Sequence, residues 1–101
     1  MNVIYERKDR NMRIRLSGEL DHHAAKETMG KLDQLLDSVM PQQLLLDFSG
    51  ISFMDSSGIA VVMRLYRRME SFGGKLILTQ VPPQAKRVLI TANLQRMISI
   101  Q

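Results

Sequence analysis

Asp55, Ser56, Ser57 and Gly58, in the run FMDSSG near the middle of the chain, place an acid, two hydroxyls and a glycine directly after an apolar stretch. Such a cluster can begin a helix, supply a nucleophile, bind a phosphate or receive one. The nucleophile reading fares poorly. A serine hydrolase elbow reads G-x-S-x-G and works with a histidine and an acid. Here the first glycine is missing and both histidines, His22 and His23, precede the serines. Chain order alone does not exclude a triad, but a domain this small leaves little room for a deep substrate cleft. The histidines do not make a metal pair either, because adjacent helical residues point about 100° apart, whereas a shared helical site uses positions three or four apart. Neither G-x-x-x-x-G-K-[ST] nor G-x-G-x-x-G occurs. No catalytic residue, cofactor site or metal site is therefore expected. The helix-start reading is strong, since Asp55 or Ser56 can cap the backbone N–H groups that follow. It explains one hydroxyl without requiring both. A helix N-terminus also tolerates an anion, so a phosphoryl group added there would be accommodated by the fold.

The elements that position this cluster follow from periodicity. Val3 and Tyr5, then Met12, Ile14 and Leu16, alternate with polar neighbours as half-buried strands do, and KDRN between them reads as a hairpin turn. From His22, or about Ala24, to Val39, the residues Ala25, Met29, Leu32, Leu36 and Val39 recur at helical spacing, with Asp21 placed to cap and Pro41 beyond the end. LLLDF, Leu44 to Phe48, is a continuous apolar run, expected to be a central strand covered on both faces or held inside a parallel pair. A second helix is expected over Ser57 to Ser71, with a buried stripe of Ile59, Val62, Met63, Tyr66 and Met69, ended by Gly73 and Gly74. KLILT is the next strand. Pro82 and Pro83 open a third helix reaching about Ala92, Asn93 is a left-handed cap, and MISI is a possible last short strand. The order β-β-α-β-α-β-α with a possible final β predicts an α/β fold, with a mixed four- to five-stranded sheet packed with helices. If the strands before Asp21 and Asp55 are parallel, their following loops share one edge, and Asp21 lies near Ser56.

Composition narrows the function classes. At 101 residues the chain suits one domain spanning residues 1–101. The content of 45% hydrophobic and 24% charged residues is that of an ordinary globular protein. The absence of cysteine fits a reducing compartment and leads us to expect a cytoplasmic protein. No apolar signal core or bilayer-length run occurs, so no membrane association is expected. A net charge of +4 and a pI near 9.9 raise the question of nucleic acid. The cations are dispersed, however, and the densest group, Arg64 to Arg68, reads as a solvated helix face near the negative end of the dipole. Few aromatic residues are available for base stacking, and direct nucleic-acid binding is not expected.

LSGELDHH followed by LLLDFSGISFMDSSGIAVV resembles the STAS family, named for sulphate transporters and anti-sigma factor antagonists, over about Met12 to Arg96. The resemblance implies a mixed sheet with helices packed on it. It also implies an anti-sigma factor antagonist, not an enzyme, in which the serine at the position of Ser56 is phosphorylated by a partner that is both serine protein kinase and anti-sigma factor. The unphosphorylated form would bind that nucleotide-loaded partner and free a sporulation sigma factor. Phosphorylation would end the binding, and a serine phosphatase would restore it. Asp21, Asp55, Ser56, Ser57 and Gly58 are the partner-binding residues on this basis, with simple capping as the other role open to Asp21. The alternative is the same partner-switching module in a stress-response or other sigma-factor pathway; GELDHH favours the sporulation branch. A nucleotide-binding module or small hydrolase lacks a recognisable pocket motif. Two departures stand out: Asn93 replaces a glycine common among relatives, and the chain stops at Gln101, where similar proteins often continue into another short helix.

Overall fold

The computed structural model describes residues 1–101. Its elements are β1 (Asn2–Lys8), β2 (Asn11–Leu20), α1 (His22–Val39), β3 (Gln43–Met54), α2 (Ser56–Ser71), β4 (Lys75–Thr79), α3 (Pro83–Thr91), a short 3₁₀ turn (Leu94–Arg96) and β5 (Ser99–Ile100). The expected order is present, including the final strand. The five strands lie in the order β1-β2-β3-β4-β5. β1 is antiparallel to β2, joined through the Lys8–Asn11 turn, and every other neighbouring pair is parallel.

That topology decides where the helices go. Each parallel strand is added beside the previous one in the same direction, so right-handed crossovers put successive helices on the same face. Met12, Ile14, Leu16, Leu44, Leu46, Phe48, Leu76 and Leu78 form the inner face of the sheet. They join Ala25, Leu32 and Leu36 of α1, Val61, Val62, Leu65 and Met69 of α2, and Ala85 and Leu89 of α3 in one continuous core. β3 is central and lies inside a parallel pair, as one of the two readings of LLLDF had it. It is not covered on both faces by helices. Leu45 on the outer face is only half-buried, and Asp47 is buried there under an ion pair from Arg13 at 2.9 Å. Burial alone pushes the Asp47 carboxyl up, but the Ser49 backbone N–H at 2.8 Å and the Arg13 guanidinium outweigh it and hold the pKa below its ordinary value.

The helix ends follow local chemistry. Asn93 adopts φ 62°, the left-handed conformation anticipated for it, and Gly73 turns the chain after α2 with φ +71°. α1 ends on Met40, which takes φ 49° and donates its N–H to the Leu36 carbonyl at 2.7 Å. The stripe expected on α2 is met in part: Val62 and Met69 are fully buried, while Ile59, Met63 and Tyr66 are half-buried and Val61 and Leu65 are buried in addition. The run IAVVM presents apolar groups on adjoining faces, and α2 is wedged between α1, α3 and the sheet, so tertiary packing selects the phase. On α1, Thr28 is buried, whereas Met29 and Val39 are only half-covered. Arg64 and Arg68 are not merely solvated. They clamp α2 to α1, with Arg64 on Asp33 at 2.8 Å and Arg68 on Asp33 at 3.0 Å and also on Asp37. The Arg64 hydrogen bond, reinforced by Arg68, holds the Asp33 carboxyl below its ordinary range against a smaller desolvation effect.

Candidate functional site

β2 and β3 run parallel with Leu20 opposite Met54, so the next residue of each chain segment, Asp21 and Asp55, emerges at the same sheet edge. Two register shifts in this pair, between Arg15 and Ser17 and between Gly18 and Glu19, mark irregular pairing just before that edge. Asp21 caps α1: its Oδ1 accepts the Ala24 N–H at 3.0 Å. Asp55 caps α2: its Oδ1 accepts the Ser57 N–H at 2.8 Å. Its second oxygen, Oδ2, accepts the His22 N–H at 3.1 Å, in the first turn of α1. One carboxylate therefore joins the N-termini of two helices, where both backbone donors and both dipoles favour negative charge. The Asp55 N–H also reaches the Leu20 carbonyl at 3.3 Å, which ties the strand ends together.

Ser56 opens α2 and is exposed, whereas Ser57 is half-buried. Gly58 lies against the sheet. A Cβ placed on it would stand 2.5 Å from Met54 Cγ and 3.1 Å from Leu20 Cδ2, and both of those side chains are fully buried. The close seating of α2 on β2 and β3, and with it the height at which Ser56 is presented, depends on the missing methyl. The five residues singled out from the sequence, Asp21, Asp55, Ser56, Ser57 and Gly58, thus meet at one corner, with the Asp55 carboxylate linking both helix starts.

Two further residues complete the corner and carry no sequence signal beyond their place after a double proline. Gln84, in the first turn of α3, donates its Nε2–H to the Met54 carbonyl at 2.8 Å and accepts the Met54 N–H through Oε1 at 2.9 Å. A side-chain amide thereby replaces a neighbouring strand where the β3 ladder stops. Arg87, one turn further along α3, lines a shallow groove with Ser56, Ile59 and Val88. His22 and His23 are exposed, with ring centroids 6.1 Å apart, and His22 enters the site through its backbone N–H. No group of three or more His, Cys, Asp or Glu side chains is arranged to hold a metal. No helix is long and apolar enough to cross a membrane. The geometry offers an exposed hydroxyl at a helix start, beside a groove of mixed polar and apolar lining and at the sheet edge where β2 and β3 end. That arrangement suits a modifiable docking surface better than a catalytic centre.

Known proteins share this fold. The sequence pattern of the STAS domain family matches residues 2–101. The chain is 31% identical over 87 residues to an anti-sigma F factor antagonist of Paenibacillus polymyxa, covering 86% of this chain and 74% of the relative. The structure of the anti-sigma factor antagonist SpoIIAA in its unphosphorylated form superposes with a TM-score of 0.83 at 29% identity, over 99% of this chain and 88% of that one. The Bacillus cell fate determinant SpoIIAA in its phosphorylated form gives a TM-score of 0.75 at 29% identity, over 99% of this chain and 91% of that one.

Proposed function

We propose, from the premise that the chain belongs to the STAS domain family, that it is a cytoplasmic anti-sigma factor antagonist whose binding is switched by phosphorylation of Ser56. The single observation that carries the switch is the exposure of Ser56 at the start of α2, on the corner that also gathers Asp21 and Asp55. The similarity to relatives named as anti-sigma factor antagonists, one of them solved in a phosphorylated form, supports the reading. In the unmodified state this corner docks on an anti-sigma factor that is also a serine kinase, and the sigma factor of a sporulation pathway is released. The Ser56 hydroxyl then attacks the γ-phosphorus of the partner's ATP, the bond to ADP breaks, and the hydroxyl proton passes to a base of the kinase. A phosphatase returns the serine by hydrolysis. The protein is a substrate and a switch, and it catalyses nothing itself.

The phosphoryl group adds about −1.5 to −2 charge at neutral pH. A partner carboxylate about 6 Å away would be repelled by about 1 kcal/mol even in a water-like medium, which weakens binding about fivefold to tenfold. To test the reading, wild type, Ser56→Ala and Ser57→Ala are incubated with candidate sporulation and stress-response anti-sigma kinases and ATP. Phosphate is mapped by mass spectrometry, the fold is followed by circular dichroism, and partner affinity is measured. Phosphate on Ser56 in wild type and in Ser57→Ala, none in Ser56→Ala, a retained spectrum and weakened binding are expected. Transfer to Ser57 in wild type, or undiminished binding by the Ser56-phosphorylated form, refutes the switch. The kinase that responds identifies the pathway.

A further inference from the structure

The groove between α2 and α3 has Ser56 on one wall and Arg87 on the other. Arg87 is the only charged side chain lining it, no carboxylate shares it, and Gln84 at its end is engaged with both backbone groups of Met54. Arg87 is exposed and enters none of the chain's ion pairs, unlike Arg13, Arg64 and Arg68, which are held by Asp47, Asp33 and Asp37. The acid closest in sequence to Ser56, Asp55, is turned away into the two helix N-termini and bonded there through both oxygens. An arginine without a carboxylate partner, lining the same groove as a modifiable hydroxyl, is placed to receive an oxyanion there, and arginine matches phosphate oxygens with two parallel N–H donors.

We propose that Arg87 is the counter-ion of the phosphoryl group on Ser56, holding it inside the α2–α3 groove; this rests on the reading that Ser56 is the phosphorylated residue. The pairing draws the dianion over Ile59 and Val88, so that the modified state masks apolar surface as well as adding charge. It also gives α3 a part in the switch, which Pro82 and Pro83 and the Gln84 clamp place in register with α2.

The test installs phosphoserine at position 56 during translation, so that it does not depend on any kinase. The second protonation step of the phosphate is followed by ³¹P nuclear magnetic resonance in the parent, Arg87→Ala, Arg87→Gln and Lys86→Ala backgrounds. His22 and His23, the imidazoles at the start of α1, are common to all four proteins. A cation about 6 Å from the phosphate lowers the midpoint by about half a pH unit in a water-like medium, and by more if the groove excludes water. The midpoint is expected to rise by at least about that amount in both Arg87 variants and to stay at the parent value in Lys86→Ala, whose side chain leaves α3 about 100° away. Equal midpoints in the parent and the Arg87 variants would overturn the proposal, as would an equal response to Lys86→Ala, which would indicate a diffuse field. Failure of a kinase to modify Ser56 would sink the underlying reading while leaving this titration interpretable.

Discussion

Replacing aspartate by asparagine should have different consequences at the two helix caps of the corner that Asp21 and Asp55 share. Asparagine caps a helix about as well as aspartate because one side-chain oxygen suffices. Asp21 needs only one, for the Ala24 N–H, so Asp21→Asn should leave stability within about 0.5 kcal/mol of wild type. Asp55 uses two oxygens for two N–H groups on different helices. In Asp55→Asn the remaining oxygen can serve Ser57 or His22, and the amide NH₂ then confronts the other N–H, donor against donor. A hydrogen bond to a charged group contributes about 1.5–3 kcal/mol, and this half-exposed site belongs near the lower end, so the expected loss is about 1.5 kcal/mol. For a chain of this length that corresponds to a fall of about 6–12 °C in Tm. Urea unfolding of wild type and both variants at neutral pH, followed by circular dichroism, measures the difference, with a constant m-value required for the comparison. Equal stabilities of Asp21→Asn and Asp55→Asn would refute the two-helix bridge and reduce Asp55 to an ordinary cap.

Other outcomes follow from the packing and the ion pairs. Gly58→Ala should destabilise by about 1–3 kcal/mol in urea unfolding, because its Cβ meets the buried Met54 and Leu20 side chains, even though alanine is the better helix former. A double-mutant cycle between Asp33 and Arg68 should give a coupling of about 0.5–1 kcal/mol that shrinks in high salt, since both side chains are partly exposed. Asp33 and Asp47 both titrate below the unfolded value of 3.8, so their stabilising contribution is fully present above that pH and is lost as pH falls through their lower folded values. The acid limb of the stability curve should accordingly flatten in Asp33→Asn and Asp47→Asn relative to wild type, with the urea midpoint measured across that range.

The parts of the structure legible in the sequence were those governed by local rules. Alternation in Met12, Ile14 and Leu16, the caps at Asp21 and Asp55 and the left-handed Asn93 each depend on near neighbours, and each was readable. Burial of α2 was readable only in part: Val62 and Met69 are buried as their spacing implies, but IAVVM supports more than one helical phase, and packing against the sheet adds Val61 and Leu65. β3 was seen as Leu44 to Phe48 but runs on to Met54: SGISF mixes polar and apolar residues without clean alternation, and the strand is extended there by pairing with β2 through Gly50, Ile51 and Phe53. The open outer face of the sheet has no sequence signature, because a continuous apolar run looks the same whether one face is covered or two, and only Asp47 within it hints at a partner such as Arg13. At the site, the five clustered residues were within reach of motif and parallel-strand reasoning. The His22–Asp55 bond, the Gln84 clamp and the position of Arg87 join segments far apart in sequence, and no periodicity encodes them.

Under the proposed function, a binder switched by phosphate has to alter its surface while keeping its fold, and neighbouring residues at this corner would divide those tasks. The bonds that hold the corner are made by Asp55 to Ser57 and His22 and by Gln84 to Met54. Ser56, between Asp55 and Ser57 in sequence, is exposed and contributes no side-chain hydrogen bond to that set. A group added to its oxygen breaks none of these bonds and arrives at a helix end whose dipole offsets part of its charge. The added charge must therefore appear almost entirely in what the surface repels or attracts. On this reasoning an aspartate at position 56 should leave the urea midpoint of the isolated protein nearly unchanged and weaken partner binding, though less than phosphate does, because it carries about half the charge and fewer acceptor oxygens. A variant Ser56→Asp that unfolded at distinctly lower urea would show that this hydroxyl, and not Asp55 alone, supports the corner.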